Sequence, residues 1–188
     1  MFNIDQLIAD CLDALGKEGR GGGAAVKEVV DRAVSDPNAI EAAIGSPADA
    51  PVFTTWFNTD ELTLLHVVWP PGVDLFPHDH KMWAAIGLYG GREDNRFFRQ
   101  LPHGKLESRG VRTLHERDSI LLGDDTVHAV ANPSQEWTGA IHVYGGDYFT
   151  AGRRMWIEPS GPPTEFDATQ VMSVLDDAAR RAGRVLSL

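Results

Sequence analysis

The chain has 188 residues, 43% of them hydrophobic, and its 17 Lys+Arg against 27 Asp+Glu give a net charge of −10. A chain of this length hides roughly 70% of its unfolded surface as one domain and needs no disulfide to hold a core. The acidic balance argues against nucleic acid or an anionic membrane surface as partner, and no apolar run reaches the ~18 residues that span a bilayer.

From the start of the chain, Ile4, Leu7, Ile8, Cys11, Leu12 and Leu15 fall on one face of a helix, with Gly16 and the run Gly19–Gly23 expected to end it. That glycine run lacks the preceding strand and the Gly-Lys-Ser/Thr ending of a phosphate loop, so it reads as a flexible break. Val26, Val29, Val30, Ala33 and Val34 predict a second helix, and Asp36-Pro37 caps a short third one through Ile44. Gly45 to Pro51 reads as a linker. Cys11 has no partner for an internal disulfide, and the first residues carry no basic region with a long apolar run. Both features point to a cytoplasmic protein.

The pattern then changes. Strand-like runs at 52–57, 62–69, 82–89, 95–101, 106–115, 118–122, 126–131 and 137–144 are split by turn residues such as Pro70-Pro71-Gly72, Gly90-Gly91 and Asn132-Pro133. Many short strands at this spacing predict an antiparallel barrel or sandwich. A last amphipathic helix runs through Val171, Val174, Leu175 and Ala178, with Asp167 as N-cap and Gly183 as stop. The expected layout is a helical segment at 1–50 packed on a barrel at 51–160, and a C-terminal helix within 161–188, all one domain.

His78 and His80, at i and i+2, point to the same side of an extended segment. Two imidazoles on one face can chelate a transition metal. His128, in the run Thr126 to Val130, can be carried beside them by a barrel. A lone strand histidine is otherwise a hydrogen-bonded packing residue. His66 has no ligand partner two residues away and reads as a core or supporting residue; His103 and His115 read as surface residues.

The segments Gly72 to His80 and Gly123 to Asn132 resemble, in order, the two half-motifs of the cupin superfamily: Gly, five residues, His-x-His; then Gly, a turn, His, three residues, Asn. The resemblance implies a mainly β fold, the cupin-type double-stranded β-helix or jelly-roll barrel, with a metal near its mouth held by His78, His80 and His128. Many cupins add a Glu ligand four or five residues after the second His; Lys81 to Ala85 contains no acid. Three neutral imidazoles leave a divalent ion its full charge, which favours an anionic ligand.

Within the cupins the chain is most similar to the thiol dioxygenases, cysteine dioxygenase and its relatives, which use a three-His iron(II) site. Trp69-Pro70-Pro71-Gly72 ahead of the metal motif, Trp83 after it, and Ala140-Ile141-His142-Val143-Tyr144 against their Ser-x-His-x-Tyr segment carry the likeness. It implies that His142 and Tyr144 are catalytic, Tyr144 as a protonated phenol facing oxygen or substrate, and that Trp83 contacts substrate. The family's serine is Ala140 here. Cys11 lies too early for the tyrosine crosslink of animal cysteine dioxygenases, and Phe53 to Phe57 lacks their early arginine. Arg153, nine residues after Tyr144, stands where 3-mercaptopropionate dioxygenases place a carboxylate-binding arginine, and Arg154 follows it.

The implied activity is oxidation of a small thiol, like 3-mercaptopropionate or cysteine, to its sulfinate by O2. Fe(II) is the implied cofactor, although three imidazoles also hold Zn, Ni, Co or Cu. Two alternatives stand beside it: a three-His cupin enzyme with a non-thiol substrate, and a cupin that binds a metal or small ligand without turnover. Exposed barrel edges leave room for a homodimer.

Overall fold

A computed structural model describes residues 1–18 and 22–186, so Gly19, Arg20 and Gly21 of the expected glycine break lie outside the described residues. The helices are α1 (Ile4–Glu18), α2 (Gly23–Val34), α3 (Pro37–Ile44) and α4 (Ala168–Arg181). The strands are β1 (Phe53–Asn58), β2 (Thr63–Trp69), β3 (His78–Asp79), β4 (Ala84–Gly90), β5 (Arg92–Gln100), β6 (Leu106–His115), β7 (Ser119–Leu122), β8 (Val127–Ala131), β9 (Thr138–Tyr144), β10 (Arg154–Met155) and β11 (Thr164–Glu165).

The strands form two sheets, ordered β1-β2-β9-β4-β7 and β11-β10-β3-β8-β5-β6. The antiparallel pairing is nested. Hairpin β5·β6 is the closed end, and the two arms then pair as β4·β7, β3·β8 and β2·β9. Each successive pair lies in the other sheet. A two-stranded ribbon wound in this way is a double-stranded β-helix, and the fold is the mainly β, cupin-type barrel expected from the sequence.

Alternation sorts the side chains of the five-stranded sheet. Leu65, Val67, Ala84, Ile86, Ala140 and Tyr144 face an interior shared with Leu75, Leu114 and Val130 of the other half. Leu64, Ala85, Tyr89, Ile141 and Val143 face outward, onto Leu7 and Cys11 of α1, Val26, Val30 and Val34 of α2, and Ile40 of α3. Burial of each such Leu or Ile contributes roughly 1.5–3 kcal/mol. Helix α2 comes so close to β4 that a Cβ on Gly87 would stand 2.5 Å from Val30 Cγ1. Helix α4 has a different role: Val171, Leu175, Ala178 and Ala179 join the interior cluster itself.

The caps form as expected. Asp36 accepts from Ala39 N at the start of α3, and Asp167 accepts from Thr169 N at the start of α4. Gly16 does not stop α1, which continues to Glu18; one glycine costs an interior helix about 1 kcal/mol, too little to end it. Strand β5 begins at Arg92, three residues before the predicted run. Its charged start Arg92-Glu93-Asp94 carries no apolar alternation, but it pairs in register with His115, Leu114 and Thr113 of β6. Among the described residues no helix is long and apolar enough to cross a membrane.

Candidate metal centre

Strands β3 and β8 run antiparallel with His78 directly opposite His128. Opposed residues project on the same side of the sheet, and His80 follows His78 by two, so three imidazoles converge. Their ring centroids are 5.1 Å apart for His78–His80, 4.7 Å for His78–His128 and 4.9 Å for His80–His128. One ring nitrogen from each lies within 4.8 Å of the others, and Nε2 of His80 and Nε2 of His128 are 3.4 Å apart.

The orientation of two rings is set from behind. His78 Nδ1 lies 3.1 Å from the carbonyl oxygen of Phe76, and His128 Nδ1 lies 2.8 Å from Oδ1 of Asn95. Both partners only accept, so each Nδ1 carries the proton and each Nε2 keeps its lone pair. Burial holds the His78 ring at a pKa of about 4 and pushes His80 and His128 well below the ordinary value, with the neighbouring rings adding to the effect. All three are therefore neutral at pH 7, the form in which imidazole binds a metal. The donor set fits a divalent transition ion.

Asp79, between the two histidines, alternates away from them. It is buried, accepts from Arg154 N at 2.7 Å and Arg154 Nε at 2.8 Å, and pairs with Lys81 at 3.1 Å. Arg154 is thus a partner of Asp79, and its guanidinium also lies over Trp156.

Arg153 turns the other way. Its Cζ lies 3.7 Å from the ring centroid of Tyr148 and 3.7 Å from that of Phe166, so the guanidinium is held between two aromatic faces. It is 8% exposed, and Nη1 is buried without a hydrogen-bond partner. Its positive charge reaches the centre, where it lowers the pKa of His78 and His80.

His142 and Tyr144 both face inward, with Nδ1 of His142 2.9 Å from the Tyr144 hydroxyl. The Tyr144 ring centroid is 5.0 Å from that of His80 and 4.5 Å from that of Tyr148. Burial, reinforced by Tyr148, raises the Tyr144 phenol well above its ordinary pKa. Nε2 of His142 is buried with no partner. A serine at position 140, two residues back on the same face, is what the resemblance would have placed there.

Histidines 78, 80, 128 and 142 line a small cavity of about 20 Å³ with Tyr144, and Phe53, Leu75, Tyr148, Phe166 and Val171 close it. That space holds about one water. Among the described residues no carboxylate forms part of the cavity's walls.

Trp83 lies elsewhere. Its ring belongs to the outward cluster beneath the helices, pressed so tightly on Gly145 that a Cβ there would stand 2.1 Å from Trp83 Cε2. Trp83, expected to contact substrate, stands one residue before β4, is turned away from the interior and does not line the cavity of the three histidines. His66 is also on the outward side, stacked on Trp56 at 5.3 Å and bonded to the Tyr89 hydroxyl at 2.8 Å. His103 and His115 are exposed.

Four residues with a place in the site escaped the sequence reading. Tyr148 lies in a turn after β9 and Phe166 between β11 and α4, where no periodicity marks a facing direction. Glu93 and Asn95 lie in a charged stretch that reads as solvent-facing. Both are fully buried, with Asn95 Nδ2 donating to Glu93 Oε1 at 2.7 Å and Trp69 Nε1 donating to Glu93 Oε2 at 2.6 Å. The available signal was i, i+2 spacing in register with Phe97, opposite His128.

The chain matches no family model. Solved structures similar to it include a Klebsiella pneumoniae protein with a double-stranded β-helix domain (16% identity, 57% of this chain and 85% of that one, TM-score 0.43). A Bacillus halodurans protein matches at 15% identity over 65% of this chain and 83% of that one, TM-score 0.47. An RmlC-like cupin family protein from Methanocaldococcus jannaschii matches at 14% identity over 54% of this chain and 86% of that one, TM-score 0.44. The winding of its own strands makes this chain a cupin fold, and the histidines on β3 and β8 give that fold a cluster able to hold a metal ion.

Proposed function

We propose that the chain is a non-haem iron thiol dioxygenase that converts a small carboxylate thiol, with O2, into its sulfinate. The observation that carries this reading is the pairing of three neutral imidazoles, without a carboxylate among them, with a buried guanidinium that has an unbonded nitrogen. When bound, Fe(II) supplies a single centre at which thiol sulfur and dioxygen meet. Both oxygen atoms end on sulfur, so R–S⁻ and O2 give R–SO2⁻ and no further reductant is consumed.

The protein's own groups supply the selectivity. Arg153, clamped by Tyr148 and Phe166 of the cavity wall but not itself part of that wall, would offer Nη1 to the substrate carboxylate. A guanidinium grips a carboxylate by two parallel hydrogen bonds. Among the described residues no carboxylate in the cavity wall can pair with an ammonium group, which favours 3-mercaptopropionate over cysteine. Tyr144 stays protonated at every physiological pH and donates into the cavity, with His142 orienting its hydroxyl. Phe166 and Val171 line the cavity beside the histidines, and the one-water space they leave has to widen to admit a thiol.

Ala140 stands where the resemblance implies a serine, and Nε2 of His142 is buried without a partner among the described residues; both favour a second reading as a three-His cupin metalloenzyme with another anionic substrate. Metal analysis of the purified protein, then oxygen-electrode assays with 3-mercaptopropionate, cysteine and cysteamine, separate the two. Oxygen uptake matched by sulfinate supports the dioxygenase. A metal-loaded protein inert to all three thiols rules it out.

A further inference from the structure

Among the described residues the histidine cluster has no carboxylate ligand, yet a carboxylate lies two hydrogen bonds away. Glu93 and Asn95 are successive inward residues of β5, both 0% exposed. Trp69 Nε1 donates to Glu93 Oε2, Asn95 Nδ2 donates to Glu93 Oε1, and Asn95 Oδ1 faces Nδ1 of His128. Burial raises the Glu93 pKa, and the two donors, with no acceptor facing it among the described residues, oppose that rise and favour the carboxylate. A buried carboxylate costs several kcal/mol in desolvation, and an apolar residue of similar volume is often the more stabilising choice. Its retention in the barrel interior calls for a role.

The chain of bonds has a direction. Indole can only donate, and a carboxylate can only accept. Because Glu93 takes the NH2 end of Asn95, the carbonyl end must point at His128. A carbonyl can only accept, so His128 must carry its proton on Nδ1. A neutral imidazole has one such proton, so the lone pair is on Nε2, the atom 3.4 Å from Nε2 of His80.

We infer that Glu93, acting through Asn95, is a positioning residue that fixes the tautomer of His128 and so aims its lone pair into the metal cluster. This rests on the reading of His128 as a metal ligand. With an amide in place of the carboxylate, the Trp69 indole still donates and the polarity of Asn95 reverses. In Glu93→Gln the introduced amide turns its carbonyl to Trp69 and its NH2 to Asn95, and the Asn95 amide turns over. The Asn95 NH2 then meets Nδ1 of His128, and the proton moves to Nε2, where the metal would sit. Exchanging the two groups, as Glu93→Gln with Asn95→Asp, restores the direction. In that double variant Trp69 donates to the carbonyl of the introduced amide, whose NH2 donates to the new carboxylate, and His128 Nδ1–H donates to that carboxylate as well.

The test has two readouts besides activity. Ring nitrogen shifts of His128 in the metal-free protein, from ¹⁵N NMR, give the tautomer. Competition against a chelator gives Zn(II) and Co(II) affinity. The wild type should show Nδ1–H, and Glu93→Gln should show Nε2–H with affinity reduced roughly 10–100-fold, the usual effect of losing such a supporting bond. The double exchange should return both to within a few-fold of wild type. A structural role for Glu93 would not be rescued by moving its charge to position 95. An unchanged tautomer in Glu93→Gln, or a folded double exchange that binds metal as weakly as the single variant, overturns the inference. If Glu93→Gln fails to fold, the double exchange alone decides. A wild type that binds neither metal defeats the ligand assignment, while the tautomer measurement still judges Glu93.

Discussion

Arg153 and Arg154 are neighbours in the chain and face opposite environments: Arg153 is clamped between Tyr148 and Phe166 with Nη1 unbonded, while Arg154 is spent on the buried carboxylate of Asp79. Arg154 opens β10, whose Met155 pairs with His78 of β3, and Arg153 stands one residue before that strand on the opposite side from Arg154. Arg153→Ala should raise KM for 3-mercaptopropionate roughly 10–100-fold, the worth of one charge-assisted hydrogen bond or two, and change KM for a neutral thiol of equal length only a few-fold. Steady-state oxygen consumption with both substrates checks this, and equal effects would remove Arg153 from the site.

Arg154→Ala should act on the fold instead. Asp79, 1% exposed, would keep only Lys81 as a charged partner. A loss of about 1–3 kcal/mol is expected, read from the denaturant midpoint, with KM for a carboxylate thiol little changed.

His128→Ala should abolish metal retention, because it removes one of three donors and leaves an i, i+2 pair. Metal content after dialysis measures this. Retained iron with normal turnover would refute the ligand assignment.

The two half-motifs were legible because i, i+2 spacing is meaningful in any extended segment, and because both arms of the ribbon carry their own turn residues. The eight longer strands were legible as short β-rich runs bounded by turn residues, since β2, β4 and β9 are buried on both faces and carry no polar alternation. What could not be read was direction at the short elements. Strands β3, β10 and β11 have two residues each, too few for a period, so the opposite facing of Arg153 and Arg154 was hidden. Trp83 falls inside the expected run 82–89 but one residue before β4, and because both faces of β4 are buried the run does not say which of them the ring takes. Glu93 was hidden by composition: a buried carboxylate inside Arg92-Glu93-Asp94-Asn95-Arg96 has the signature of a wet surface until Trp69 of β2 and Asn95 of its own strand are seen to donate to it.

Tyr144→Phe should lower kcat with little change in KM, by about 10²-fold if the phenol donates a proton or hydrogen bond in the rate-limiting step. Since burial holds the phenol protonated, the wild-type rate should show no alkaline fall attributable to Tyr144 below about pH 10, the ordinary phenol value. A fall that disappears in the Phe variant would contradict this.

The metal-free protein should lose stability in acid. His66, stacked on Trp56 and buried, has a pKa of about 4, against ~6.5 in the unfolded chain. Between those values the unfolded chain binds more protons, so stability rises with pH there; it is fully present above ~6.5 and lost as pH falls toward 4. His78 and His142 shift in the same direction. Urea melts from pH 7 to pH 4 should therefore show a falling midpoint, with a shallower slope in His66→Gln. An identical slope would exclude His66 as a contributor.

The nested pairing that defines the barrel has a further consequence for assembly. His78 and His128 lie on opposite arms of the ribbon, beyond the β5·β6 bend and the β4·β7 rung. They become neighbours only after that hairpin has coiled back over itself, which is a slow, long-range step. An ion captured there rivets one arm to the other and stabilises the coiled state by mass action. Loading with metal is then a report that the coil has closed, and stripping it should release the seam between β3 and β8 before the hairpin beyond it.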